Sequence, residues 1–260
     1  MSEDLDEAAR RVGDGYRQAL LRTGFYTSRA HSLLREDCVL HMYEIMDAAR
    51  RIFVRLGWDA ARIERASVLE VGCAWGLRLN QMPGFGLRPE NMHGIDLLEE
   101  YIAEARKSNP GISYEVMSGT DLKFGDGAFD FSMAVMSLSA MIDGRLIDQV
   151  LAEMCRVSRE FVLVCDNFDP NYRNLRNGKT VLKGVSTRHV EKLRSRDDVE
   201  SLSEVSSFWS DRRWAWAVYK ALNGIGLKSI AYALAIRTLS PHSHRVFLVR
   251  LKRGNGGASR

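Results

Sequence analysis

Nothing in the chain marks it as fibrous, disordered or membrane-spanning. Its 260 residues include only five prolines and 21 glycines, too few for a collagen-like or low-complexity chain. No run approaches the roughly 20 apolar residues that a bilayer crossing requires. The longest candidate, Ile230 to Ile236, stops at Arg237. A basic start followed by an apolar stretch is also missing. The opening MSEDLDEAARR is acidic and polar, so no export signal is read and a cytoplasmic location is expected. The four cysteines, Cys38, Cys73, Cys155 and Cys165, form no C-x-x-C pair. That disfavours zinc and favours small buried thiols in a reducing compartment, and no metal is expected.

The rest of the composition is that of an ordinary globular protein, 45% hydrophobic and 27% charged, and the length suits one large domain with a sizeable core. Charge is unevenly placed. Residues 1–169 hold 19 basic against 27 acidic side chains, whereas residues 170–260 hold 18 against 6. A basic last third suits a phosphate-bearing substrate, an anionic membrane surface or nucleic acid. The bland alternative is a solvated face, and it is preferred for the closing RLKRGNGGASR.

Periodicity divides the chain. Asp4 to Leu21 and Ser28 to Leu56 read as helices, the second ending at Gly57, a favoured stop. The pattern then changes to short apolar strands at Ser67 to Gly72, Met92 to Asp96, Ile112 to Met117, Phe129 to Met136 and Phe161 to Cys165. Helices are expected at Trp75 to Met82, Leu98 to Ser108 and Leu146 to Val157. Alternating helices and short apolar strands predict a parallel sheet covered on both faces. Further on, the sequence predicts a short helix at Ser186 to Arg194, a strand at Val199 to Ser206, a long helical stretch at Asp211 to Leu239 and a last strand at Arg245 to Leu251.

The strongest signal is Glu70-Val71-Gly72-Cys73-Ala74-Trp75-Gly76, directly after the first strand. Glycines at a strand-to-helix turn let backbone approach a ligand, and the helix expected after it would offer unpaired N–H groups. In an open α/β sheet, ligands bind at the carboxyl ends of the strands. Asp96 ends the next strand, 20 residues after Gly76, where a carboxylate accepts both hydroxyls of a ribose. Each element alone is weak, because a tight turn and a capping acid look the same. Together they favour a nucleoside-bearing cofactor. A dinucleotide is disfavoured, since the full G-x-G-x-x-G is absent.

These residues resemble the class I S-adenosylmethionine-dependent methyltransferases. The family's first motif, an acid and then glycines at alternate positions, falls on Glu70, Gly72, Ala74 and Gly76. Its ribose acid falls on Asp96 in His93-Gly94-Ile95-Asp96-Leu97-Leu98. Asp121 to Asp130 is similar to its loop and fourth strand, and Ala152 to Val157 to the helix before its fifth. The likeness runs from about Ser67 to Asp166. It implies a Rossmann-like, seven-stranded, mostly parallel sheet with helices on both faces. Residues 1–60 would form an N-terminal helical cap or lid. The methyltransferase domain would span 61–260, with a helical insertion at 207–240. It further implies S-adenosyl-L-methionine held by Tyr26, Glu70, Gly72, Ala74, Gly76, Asp96, Leu97, Ser118, Gly119 and Met136.

Two positions depart from the family pattern. Ala74 replaces the middle glycine, and this position is expected to need a small side chain more than a positive φ. Ser118 stands where the family's adenine-binding acid usually falls.

The resemblance implies methyl transfer to a small-molecule or glycan acceptor, with O-methylation of a sugar or natural product in polysaccharide or secondary-metabolite biosynthesis as the specific expectation. RNA or protein methylation, and a non-catalytic cofactor-binding partner protein, stand as alternatives. After the fourth strand the chain reads Met136-Ser137-Leu138-Ser139 rather than Asn/Asp-Pro-Pro-aromatic, which disfavours methylation of DNA bases. A homodimer is allowed. Asp166, ending an apolar strand, is the leading candidate base, weighed evenly against a capping role. His31 and Tyr26 form a second list, because N-terminal helices cover the cofactor in many relatives. His189 is expected on the surface. The aromatic stripe Trp209, Trp214, Trp216, Tyr219 and Tyr232 is read as core or lid packing, with an acceptor wall as the alternative.

Overall fold

A computed structural model describes residues 7, 11–15, 17, 36–141, 143–168, 185–205, 218, 221–222, 224–227, 230 and 244–252. Its centre is a seven-stranded sheet in the order β3-β2-β1-β4-β5-β7-β6. The strands are β1 (Val68–Val71), β2 (Met92–Asp96), β3 (Ser113–Val116), β4 (Phe129–Val135), β5 (Ser158–Asn167), β6 (Val199–Glu204) and β7 (His244–Leu251). The first five pair in parallel, and β7 runs antiparallel between β5 and β6. This is the expected mostly parallel sheet. β1 and β4 are buried at every position, because helices cover both faces.

One face is covered by α1 (Glu36–Arg55) and α3 (Glu99–Ser108), which contribute Ile45, Ile52, Phe53, Ile102 and Ala105 to its core. An aromatic cluster anchors α1. Phe53 stacks on Trp58 at 5.4 Å, and Trp58 meets Phe131 and Phe161 edge-on at 5.9 and 5.5 Å. The other face is covered by α4 (Gly144–Val157) and α5 (Thr187–Glu191). Asp143 caps α4 by accepting from the Arg145 N–H, so that helix starts two residues before the expected Leu146. Its stripe Leu146, Val150, Leu151 and Met154 is buried as the spacing predicts.

Two elements differ from the sequence reading. A short helix, α2 (Ala60–Arg65), was not foreseen; it buries no residue and so carries no apolar period. The helix expected at Trp75 to Met82 is instead a run of turns followed by a 3-10 helix, Leu79–Phe85. Pro83 lies inside it and Gly86 ends it with φ +103°, so an α-helix has neither the N–H it needs nor room to continue.

Arg156 fixes the connection from β3 to β4. Its guanidinium donates to the carbonyls of Leu122 and Phe124 and to the carboxylates of Asp126 and Glu153, at 2.7–2.9 Å. Glu153 in turn accepts from the Leu122 N–H. Among the described residues no helix is long and apolar enough to cross a membrane.

Candidate functional site

A cavity opens at the carboxyl ends of β1, β2 and β4. Its wall includes Glu70, Gly72, Ala74, Asp96, Leu97, Gly119 and Met136, all expected from the sequence. The strand-end loop is held in an unusual backbone. Gly72, Ala74 and Gly76 all have positive φ, at +75°, +47° and +77°. The expectation that the middle position needs only a small side chain is therefore corrected. Ala74 sits in the left-handed region, and the packing around it sustains that strain. Met136, just past β4, does the same at φ +57°.

The glycines are where bulk is forbidden. A Cβ at Gly72 would lie 2.4 Å from the Ser137 Cβ, and one at Gly119 would lie 2.7 Å from a Val71 methyl. Ser137 cannot simply turn away, because its hydroxyl donates to the Val71 carbonyl at 2.9 Å. Gly76 is drawn back from the cavity, and a Cβ there would strike the Tyr114 hydroxyl at 2.3 Å.

Asp96 ties the two loops together. One carboxylate oxygen accepts from the Ala74 N–H and the other from the Leu98 N–H, each at 3.0 Å. Gly72 and Cys73 both donate to the Ile95 carbonyl at 2.9 Å. The loop's own N–H groups are thus directed inward, and no α-helix starts behind it. A pyrophosphate site of the dinucleotide kind uses a helix N-terminus; this loop lacks that feature, which agrees with a ligand carrying no phosphate. Burial pushes the Asp96 carboxyl above its ordinary value, opposed by the N–H groups of Leu98, Ala74 and Leu97.

Glu70 is only 1% exposed. Burial raises its carboxyl to about 8, while the charge of Arg78 and the Leu79 N–H pull the other way. Among the described residues its Oε2 has no hydrogen-bond partner. A buried, unpaired carboxylate oxygen in a cavity wall is costly unless something cationic or a donor reaches it. Glu70 and Asp96, with the glycine-lined hollow between them, therefore suit a ligand that brings both an ammonium and hydroxyl donors.

Other wall residues carried no sequence signal. Val12 and Gly13 line the cavity from the N-terminal segment. Gly13 is packed against Leu98 and Leu97, and Arg17 nearby pairs with Glu100 at 2.9 Å. Trp75 and Tyr101 meet edge-on at 5.5 Å in the same wall. Met117, Ala140 and Met141 complete its apolar side.

Several candidates stand elsewhere. Ser118 is not in the wall, although its neighbours Met117 and Gly119 are; its hydroxyl pairs with that of Thr120 at 2.7 Å. Asp166 is fully buried behind the wall, and its Oδ2 accepts from the Ser139 N–H at 3.0 Å, within the turn Leu138–Ala140. His189, expected on the surface, is 11% exposed, and its Nδ1 lies 2.6 Å from Asp148 between α4 and α5. Tyr26, His31 and the whole aromatic stripe lie outside the described residues. Among the described residues no His, Cys, Asp and Glu group could hold a metal. Cys73, Cys155 and Cys165 are buried, as expected of small core thiols.

Comparison with known proteins agrees with this fold. Residues 68–160 match the family profile described as "Methyltransferase domain". Among solved structures, the chain is similar to magnesium protoporphyrin IX methyltransferase from Synechocystis PCC 6803. With S-adenosylhomocysteine bound, that protein aligns at 12% identity over 91% of this chain and 98% of that one, with a TM-score of 0.58. With S-adenosylmethionine bound, the figures are 12%, 91%, 95% and 0.57. The PH0226 protein from Pyrococcus horikoshii OT3 aligns at 13% identity over 90% of this chain and 99% of that one, with a TM-score of 0.56. No curated protein sequence matches the chain.

Proposed function

We propose that this chain is a class I S-adenosylmethionine-dependent methyltransferase and that it methylates a small-molecule or glycan acceptor, at a hydroxyl of a sugar or natural product. The observation that carries the reading is the pairing of Glu70 and Asp96 across a hollow in which Gly72 and Gly119 leave no room for a Cβ. The unpartnered Oε2 of Glu70 would take the ammonium of the methionine portion, and Asp96 would take the ribose hydroxyls. When bound, the cofactor supplies a methyl group on a positively charged sulfur. The protein's part is alignment and exclusion of water. Backbone at Gly72 and Ala74 would lie against the ligand, the apolar side made by Met117, Met136, Ala140 and Met141 would keep water out, and Val12 and Gly13 line the cavity from the N-terminal segment.

Asp166 is assigned a positioning role instead of proton transfer. Its carboxylate is sealed from the cavity and holds the Leu138–Ala140 turn through Ser139. The lack of an Asn/Asp-Pro-Pro-aromatic motif after β4 supports an acceptor other than a DNA base. The acceptor class is tested by incubating the protein with cofactor labelled in the methyl group. Nucleotide sugars, lipid-linked glycans and hydroxylated secondary metabolites are offered beside tRNA and protein. Label in the small-molecule or glycan fraction is expected. Label confined to RNA or protein would overturn the reading.

A further inference from the structure

One charged residue of the cavity wall has no part in the reading above. Arg78 lines the cavity and is only 9% exposed. Among the described residues of the wall it is the sole lysine or arginine, beside two acids, Glu70 and Asp96. Its place is set by the local backbone. The chain leaves the turn of Gly72, Ala74 and Gly76 and enters the Leu79–Phe85 3-10 helix at Arg78, whose φ of −78° and ψ of −43° are already helical. The Asn80 N–H donates to the Gly76 carbonyl at 2.9 Å, and the Gln81 N–H to the Arg78 carbonyl at 3.0 Å. Residue 78 is thus braced from both sides. The next N–H, that of Leu79, donates to the Glu70 carboxylate. Glu70 therefore reaches the backbone directly beside Arg78, and the Arg78 charge is felt at Glu70.

A guanidinium is costly to bury unless anions and acceptors meet it, and its five N–H donors let it serve more than one partner. Its planar fork matches a carboxylate, which it can hold with two parallel bonds. Glu70 offers the opposite sign next to it. An α-amino acid carries an ammonium and a carboxylate on one carbon, so an acid and a base set side by side are the pair that recognises it. The apolar remainder of the wall lowers the local dielectric and strengthens both contacts. We propose that Arg78 binds the α-carboxylate of the ligand's amino-acid end while Glu70 takes its ammonium, so that the cavity selects an intact amino acid on the nucleoside. This inference rests on the cofactor reading given above and deepens it.

Calorimetry on the full chain tests it with two ligands, S-adenosylhomocysteine and the analogue in which hydrogen replaces the α-carboxylate. The analogue keeps the ammonium for Glu70 and the ribose for Asp96, so only the Arg78 contact differs. Wild type is expected to prefer S-adenosylhomocysteine by about tenfold to a hundredfold, the range of a hydrogen-bonded charge contact. Arg78→Met is expected to bind the two ligands alike, with unchanged circular dichroism, and Arg78→Lys to keep a reduced preference. Should Arg78→Met misfold, the wild-type comparison and Arg78→Lys still decide. Equal affinity of wild type for the two ligands would overturn the inference. So would an Arg78→Met that weakens both ligands by the same factor and keeps the preference, since Arg78 would then only shape the wall. No binding of S-adenosylhomocysteine to wild type would sink the cofactor reading itself, and this inference with it.

Discussion

Gly72 and Ala74 share a left-handed backbone, yet opposite substitutions at them should have opposite effects. Gly72→Ala drives a Cβ into Ser137, which is tethered to the Val71 carbonyl, and adds the penalty of a positive φ. It is expected to lower unfolding free energy by about 2–3 kcal/mol in chemical denaturation. Ala74→Gly removes a strain of about 1–2 kcal/mol and adds back somewhat less in unfolded-chain entropy, so it should raise stability by about 0.5 kcal/mol. If Ala74→Gly destabilised the protein clearly, the strained loop would be misdescribed. Glu70 gives a second test at this scale. Its folded value, about 8, lies above its ordinary 4.5, so the folded protein keeps a proton that the unfolded chain gives up. This contribution to the stability of the ligand-free protein is full below pH 4.5 and is lost as pH rises toward about 8. An ammonium bound against Oε2 favours the ionised carboxylate. Cofactor binding at pH 7 should therefore release a proton, read by calorimetry in two buffers of different ionisation enthalpy, and Glu70→Gln should release none. Identical proton release from wild type and variant would remove Glu70 from the site.

Elements matter where one holds another. The end of β5 reaches under the Leu138–Ala140 turn through Asp166, and that turn leads into the cavity residues Ala140 and Met141. Asp166→Asn keeps an oxygen for the Ser139 N–H and is expected to retain most cofactor affinity. Asp166→Ala leaves that donor unsatisfied in a buried place and should lose about 1–3 kcal/mol of stability, with weaker binding of S-adenosylhomocysteine. A base in direct contact with the acceptor would behave differently: Asp166→Asn would abolish turnover while leaving stability and cofactor binding intact. The elements most legible in the sequence were β1 to β5, because each is a short run with apolar residues between turn or helix signals. Less legible were α2, which buries nothing, and the Leu79–Phe85 turn, where Pro83 and Gly86 override an otherwise helical spacing. His189 was misplaced for a related reason. Its burial depends on α5 packing beside α4, a contact between residues 41 positions apart.

For the whole molecule the consequence of a shared cavity is coupling between distant segments. The wall draws on the N-terminal segment at Val12 and Gly13, on β1, β2 and β4, and on the loops after them. A ligand that binds only the folded protein should stabilise all of them together. S-adenosylhomocysteine at about one hundred times its Kd is expected to add about 2.7 kcal/mol, which for a chain of this size raises Tm by about 5–10 °C. Hydrogen exchange should slow at residues 72–76 and 96–98 and also at 11–15. Protection that stopped at the strand loops would show that the N-terminal segment plays no part in holding the ligand. The Arg17–Glu100 pair is solvent-exposed and is expected to contribute little, so Glu100→Ala should leave Tm nearly unchanged.

The run of strands β1 to β5 and the placing of Glu70 and Asp96 near strand ends were determined by local sequence, because hydrophobic period and strand-end chemistry are properties of neighbouring residues. Tertiary structure alone decided the rest. It forced Ala74 and Met136 into positive φ, since Ser137, Val71 and Asp96 converge there from three different strands' ends. It buried Asp166 under Ser139, whose N–H the carboxylate accepts from. And it laid Val12 and Gly13 over a cavity whose other residues lie some 60 to 130 positions further along the chain, a proximity no local pattern encodes.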